Sequence, residues 1–134
     1  MIKLLDAWAV LAWLKGEGPP ARKVRKLLLS AKRGELSLIM SIINLGEVYY
    51  RIASLYNEER AKSILDVFRL SPVSIISVED RLVFEAASLK ARLRISYVDA
   101  FATALALERG AVLVTGDPDF RELEKGKILK IEWL

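Results

Sequence analysis

Four carboxylates carry the chemistry open to this sequence: Asp6, Glu47, Asp99 and Asp117. The chain has neither cysteine nor histidine. That excludes disulfides, thiolate nucleophiles, imidazole bases and the usual zinc ligand sets. Hydrolysis must then rest on carboxylates, hydroxyls, Lys or Arg. Carboxylates without imidazole suit hard divalent cations, magnesium or manganese. Such a cation acidifies water and stabilises charge on a phosphodiester.

Each acid also has an ordinary structural explanation. Asp6 ends the apolar run Leu4-Leu5 and precedes another, Ala7 to Leu14. It reads as a strand-end acid and equally as a helix N-cap. Glu47 lies in Ser41-Ile-Ile-Asn44-Leu-Gly-Glu47-Val-Tyr-Tyr-Arg51, where Asn44, Glu47 and Arg51 share a helix face. Its plain reading is a solvated pair with Arg51. Asp99 is the only charge between Arg94 and Glu108, and Ser96-x-x-Asp99 matches a capping box. Ser77-x-x-Asp80 matches too, but Asp80 sits beside Glu79 and Arg81 and reads as solvated. Asp99 is embedded in apolar sequence, where a bare charge needs a partner or a cation. Asp117 precedes Pro118 and is a natural N-cap with proline at N1. Asp119 is an auxiliary acid or a first-turn residue favoured by the helix dipole.

The elements decide whether these acids meet. Hydrophobic periodicity predicts a strand ending at Asp6 and a helix to Leu14. Lys15 to Pro20 breaks the chain, and Ala21 to Lys32 is a basic amphipathic helix. A second strand covers Leu36 to Met40, capped into a helix by Ser41 that runs from Ile43 to Leu55. Leu45, Val48, Ile52 and Leu55 form its inward stripe. Further helices cover Glu58 to Leu70, Ser77 to about Leu93 and Tyr97 to Glu108, the last closed by Gly110. Strands follow at Val73 to Ile76, Ala111 to Thr115 and Ile128 to Trp133. Alternating strands and helices give an α/β fold with a parallel sheet covered on both faces. If strands one and four are neighbours, Asp6 and Asp117 converge at the carboxyl edge, where α/β proteins place ligands.

At 134 residues and 53% hydrophobic content, residues 1–134 read as one domain. No apolar run approaches the roughly 18 residues of a membrane span. Asp6 interrupts the N-terminal apolar segment and no cleavage site follows, so a cytoplasmic location is expected. The charge is uneven: Lys15 to Arg33 carries seven basic residues and one acid. That stripe suits phosphate backbones or a solvated helix face. Glutamine is absent and Lys, Arg and Glu are plentiful, as in heat-adapted proteins.

Four stretches together resemble the PIN-domain family, in particular its VapC-type toxin ribonucleases. They are Leu4-Leu-Asp6, Ser41 to Tyr50, Ser96-Tyr-Val-Asp99-Ala-Phe-Ala and Leu113-Val-Thr-Gly-Asp117-Pro-Asp-Phe120. The resemblance spans essentially the whole chain. It implies a three-layer α/β/α sandwich with a five-stranded, mainly parallel sheet in the order 3-2-1-4-5. It also implies a Mg2+- or Mn2+-dependent endoribonuclease leaving a 5′-phosphate. Asp6, Asp99 and Asp117 would hold metal. Glu47 would hold a second cation or orient the attacking water, with Asp119 auxiliary. Asn44, Ser96 and Thr115 would support these acids. A homodimer and a cognate antitoxin are implied as well, with Tyr49, Tyr50, Leu55 and Tyr56 as surface for a partner or as core. One departure stands out. Many relatives carry a small hydroxyl residue just after the first Asp, where this chain has Ala7 and Trp8.

Two other readings compete. An aspartyl-phosphate receiver or haloacid phosphatase also uses a strand-end Asp and magnesium. Receivers pair two acids at strand one, and phosphatases use Asp-x-Asp; Leu5-Asp6 and Asp6-Ala7-Trp8 supply neither. An inactive PIN-like module that only binds a partner would keep the fold without turnover.

Overall fold

The computed structural model describes residues 1–134. In chain order it contains β1 (Ile2–Leu5), α1 (Ala7–Lys15), α2 (Gly18–Lys32), β2 (Ser37–Ser41), α3 (Ile42–Leu55), α4 (Glu58–Phe68) and β3 (Val73–Ile76). Then come α5 (Asp80–Arg92), α6 (Tyr97–Arg109), β4 (Val112–Thr115), a 3-10 turn over Pro118–Phe120, α7 (Arg121–Lys125) and β5 (Ile131–Trp133). The sheet order is β3-β2-β1-β4-β5. Every pairing is parallel, with Leu4 opposite Ile39 on one side and Leu113 on the other. The expected order, and the neighbouring of strands one and four, both hold.

Alternation along the strands builds two cores. Leu4, Ile39 and Leu113 face the layer containing α5, α6 and α7. Leu5, Leu38, Met40 and Val114 face α1 to α4. Both faces are covered, so the strands are apolar throughout, as parallel sheets require. α6 packs across β2, β1 and β4, and all seven residues from Ala100 to Ala106 are buried. Its alanines allow that helix to lie close to the strands. Gly110 closes it in the left-handed conformation (φ 60°), which a side chain would strain.

Some boundaries differ from expectation. The breaker before α2 is itself the helix start, with Pro19 and Pro20 in the first turn, where no amide hydrogen is needed. Ser77 does not cap α5. The cap position is Glu79, because Val78 packs onto the core and holds the chain extended past Ser77. β5 begins at Ile131, since Ile128 N–H turns back to the Leu123 carbonyl and closes α7. Leu55 faces solvent at 75% exposure, beyond the buried stripe that ends at Ile52.

Candidate functional site

The carboxyl edge of β1, β2 and β4 opens into a cleft of about 360 Å³. Asp6, Glu47, Asp99 and Asp117 all line it. They arrive from four segments: Asp6 directly after β1, Glu47 on α3, Asp99 on α6 and Asp117 in the turn after β4. Each is held differently.

Asp6 is only 3% exposed. One carboxylate oxygen accepts the Ala9 N–H at 2.9 Å, so the N-cap reading is correct. The other accepts the Thr115 hydroxyl at 2.5 Å. Thr115 Oγ1 itself accepts the Asp117 N–H at 3.0 Å. The sequence Asp117 N–H, Thr115 O–H, Asp6 carboxylate thus ties the end of β4 to the end of β1. Burial pushes the Asp6 carboxyl up to about 7, against the lowering by its two hydrogen bonds, with Asp99 and Asp117 adding like charge.

Asp99 stands in the first turn of α6, where Ser96 Oγ accepts its N–H at 3.0 Å. The Ser96 half of the expected capping box holds, while Asp99 lines the cleft. Burial, then the Asp117 charge, raise its carboxyl to about 6, against the Ser96 hydrogen bond, with Glu47 and Asp119 adding repulsion. Asp117 caps the 3-10 turn by accepting the Asp119 N–H at 2.9 Å. Glu47 receives Arg51 Nε at 3.0 Å, the expected i, i+4 pair, yet both side chains also line the cleft. The local partners expected for Asp6, Glu47 and Asp117 are thus all present, although Glu47 is largely buried rather than solvated, and the acids converge all the same.

Carboxylate oxygens of Asp99, Asp117 and Asp119 lie within 4.8 Å of one another. Two unit charges about 4 Å apart cost roughly 4 kcal/mol at an effective dielectric near 20. An oxygen-only set under such repulsion fits a hard divalent cation. Asp119, expected as auxiliary, is a full member of this closest group. Asp6 and Glu47 stand outside it and face the same cleft. Asn44 lies one turn before Glu47 on the same face, buried, with neither amide atom hydrogen-bonded.

The PIN domain family profile matches residues 3–126. The chain belongs to the PIN domain family. No curated protein sequence matches it. Its fold is similar to that of solved structures at low identity. VapBC2 from Rickettsia felis, bound to a DNA fragment of its promoter, superposes with TM-score 0.76 at 24% identity, covering 100% of this chain and 99% of that one. DNA-bound VapBC from Salmonella typhimurium gives 0.75 at 22% identity, covering 98% of each. VapC20 of Mycobacterium tuberculosis, a toxin that cleaves the sarcin–ricin loop, gives 0.69 at 24%, covering 91% of this chain and 94% of that one.

Sequence reasoning missed three cleft residues of this PIN domain: Trp8, Lys15 and Arg51. A signal existed. Leu11, Ala12 and Lys15 recur at i+3, i+4 and i+7 from Trp8, one helix face beginning just after Asp6, and all four line the cleft. Arg51 reads from the sequence only as a partner of Glu47.

Proposed function

We propose that residues 1–134 form a single nuclease domain, a Mg2+- or Mn2+-dependent endoribonuclease acting as the toxin of a toxin–antitoxin pair. One observation carries this reading. Acids from four distant segments share one cleft, where burial and mutual repulsion raise Asp6 and Asp99 and a bound cation would relieve that repulsion. Asp99 and Asp117 would hold the cation, with Asp6 behind them and Asp119 at the rim. A bound cation supplies Lewis-acid polarisation of the phosphodiester and acidification of water. Glu47 would take a second cation or orient the attacking water. Thr115 holds Asp6 in place, and Ser96 sets the helix start that presents Asp99. Lys15 and Arg51 are the cationic side chains in the cleft able to face an RNA phosphate.

Likeness in fold to an RNA-cleaving toxin supports the substrate class, and likeness to VapBC complexes supports an antitoxin partner. So does an apolar hollow of about 270 Å³, lined by Trp13, Leu14, Ile64, Val67 and Phe68 among others. Tyr50, Leu55 and Tyr56 are exposed beside Tyr49, which packs into the core; they suit a homodimer or antitoxin contact.

The test is Mn2+ titration by calorimetry with the wild type, Asp6→Asn and Asp99→Asn, followed by incubation with a mixed RNA pool and end-group analysis. Weakened binding in both variants and metal-dependent cuts bearing 5′-phosphates are expected. Unchanged metal affinity in both variants overturns the shared site. Metal binding without cuts points to the inactive module.

A further inference from the structure

The cleft contains few positive charges for a polyanion. Its acids Asp6, Glu17, Glu47, Asp99 and Asp117 face only Lys15 and Arg51, and Arg51 is already paired with Glu47. Phosphate contacts from two side chains give limited purchase on such a surface, and an uncharged contact would add to that of a bound cation. One aromatic ring is placed for that. Trp8 lines the cleft two residues after Asp6, on the first turn of α1, and is 37% exposed.

Trp8 is also closely backed on one edge. The outer edge of its six-membered ring abuts Gly116, the residue between Thr115 and Asp117. A Cβ built on Gly116 would stand 2.2 Å from Cη2 and within 2.6 Å of Cζ2 and Cζ3. Real Cβ contacts are never that short, so only glycine admits the indole here. The ring edge is thus wedged against the backbone that joins the Thr115 hydroxyl to the Asp117 carboxylate. A wedged ring with exposed surface beside the acids costs little further entropy to use. Aromatic rings grip single strands by stacking, whatever the base.

We propose that Trp8 is a stacking platform for an unpaired base next to the scissile phosphate. The assignment rests on the nuclease reading above.

The test uses the full chain and a short labelled oligoadenylate, alone or annealed to oligouridylate, in buffer with EDTA so that no cleavage occurs. The free strand is expected to quench tryptophan emission of the wild type. Trp8→Ala and Trp8→Leu are expected to weaken its binding about 5- to 100-fold. Trp8→Phe should retain most of the affinity, and the annealed strand should bind all variants alike. Thermal unfolding and Mn2+ affinity of each variant report on the fold. Trp8→Leu keeps apolar bulk against Gly116, so a Trp8→Leu protein that binds the free strand as the wild type does overturns the platform. Binding of an arginine-bearing peptide that is lost in Trp8→Leu, with oligoadenylate inert, overturns it in favour of a protein ligand. A wild type that stacks the strand yet cuts no RNA with Mn2+ overturns the nuclease reading and leaves the platform standing. A wild type that cuts RNA with KM unchanged in Trp8→Leu removes the platform alone.

Discussion

Thr115 shows how one hydroxyl serves two acids. It donates to Asp6 and accepts from the Asp117 amide, both in buried or half-buried surroundings. Replacing it by valine keeps the shape and strands both partners. Thr115→Val is expected to lose about 1–3 kcal/mol of stability, because buried polar groups left unpaired cost that much. Urea unfolding of the metal-free protein measures it, and Mn2+ affinity should fall with it. Asn44 is the reverse case, a buried amide with no hydrogen-bond partner. Asn44→Leu should stabilise the metal-free protein by about 1–3 kcal/mol, by the same reasoning with opposite sign. A midpoint that drops instead would mean that Asn44 has a polar partner in solution.

Among the elements, α6 does most to place the site. It is apolar nearly all round, and its first turn must present Asp99 while its body presses on three strands. Ala102 is fully buried there. Enlarging it should push the helix off the sheet: Ala102→Leu is expected to cost about 1–3 kcal/mol, read by chemical denaturation, the range for overpacking a filled core. The unbroken apolar run made this helix readable in advance. The start of α5 was not, because Ser77 carries a good local signal that Val78 overrides by packing on a distant surface. The short β5 is similar, since the turn closing α7 uses backbone that its apolar pattern had assigned to the strand.

At the scale of the whole molecule, the acids couple stability to pH. Asp6 is raised from 3.8 to about 7 and Asp99 from 3.8 to about 6. Between roughly pH 4 and 7 the folded chain therefore holds protons that the unfolded chain has released, and stability falls as pH rises through that window. The metal-free protein should unfold several degrees lower at pH 8 than at pH 5. Asp6→Asn should flatten much of that slope. Saturating Mn2+ should restore the midpoint at pH 8, and chelation should remove the gain, because binding to the folded state alone stabilises it. Differential scanning calorimetry across pH, with and without Mn2+, checks all three; a midpoint that rises with pH in EDTA would contradict the buried-acid account.

The sequence by itself determined the periods, and hence the strands, the helices and the alternation that forces a covered parallel sheet. It also marked Asp6, Glu47, Asp99 and Asp117 as acids in unusual company. Local chemistry sufficed for the caps at Asp6, Ser41, Ser96 and Asp117, since each cap bonds a backbone two or three residues away. Only the tertiary structure decided that Thr115 reaches Asp6 across 109 positions, that Asp119 joins the closest acids, and that Trp8 wedges against Gly116. Those contacts depend on which strands are neighbours and how near two loops pass, and no periodicity along a chain encodes a distance between its remote parts.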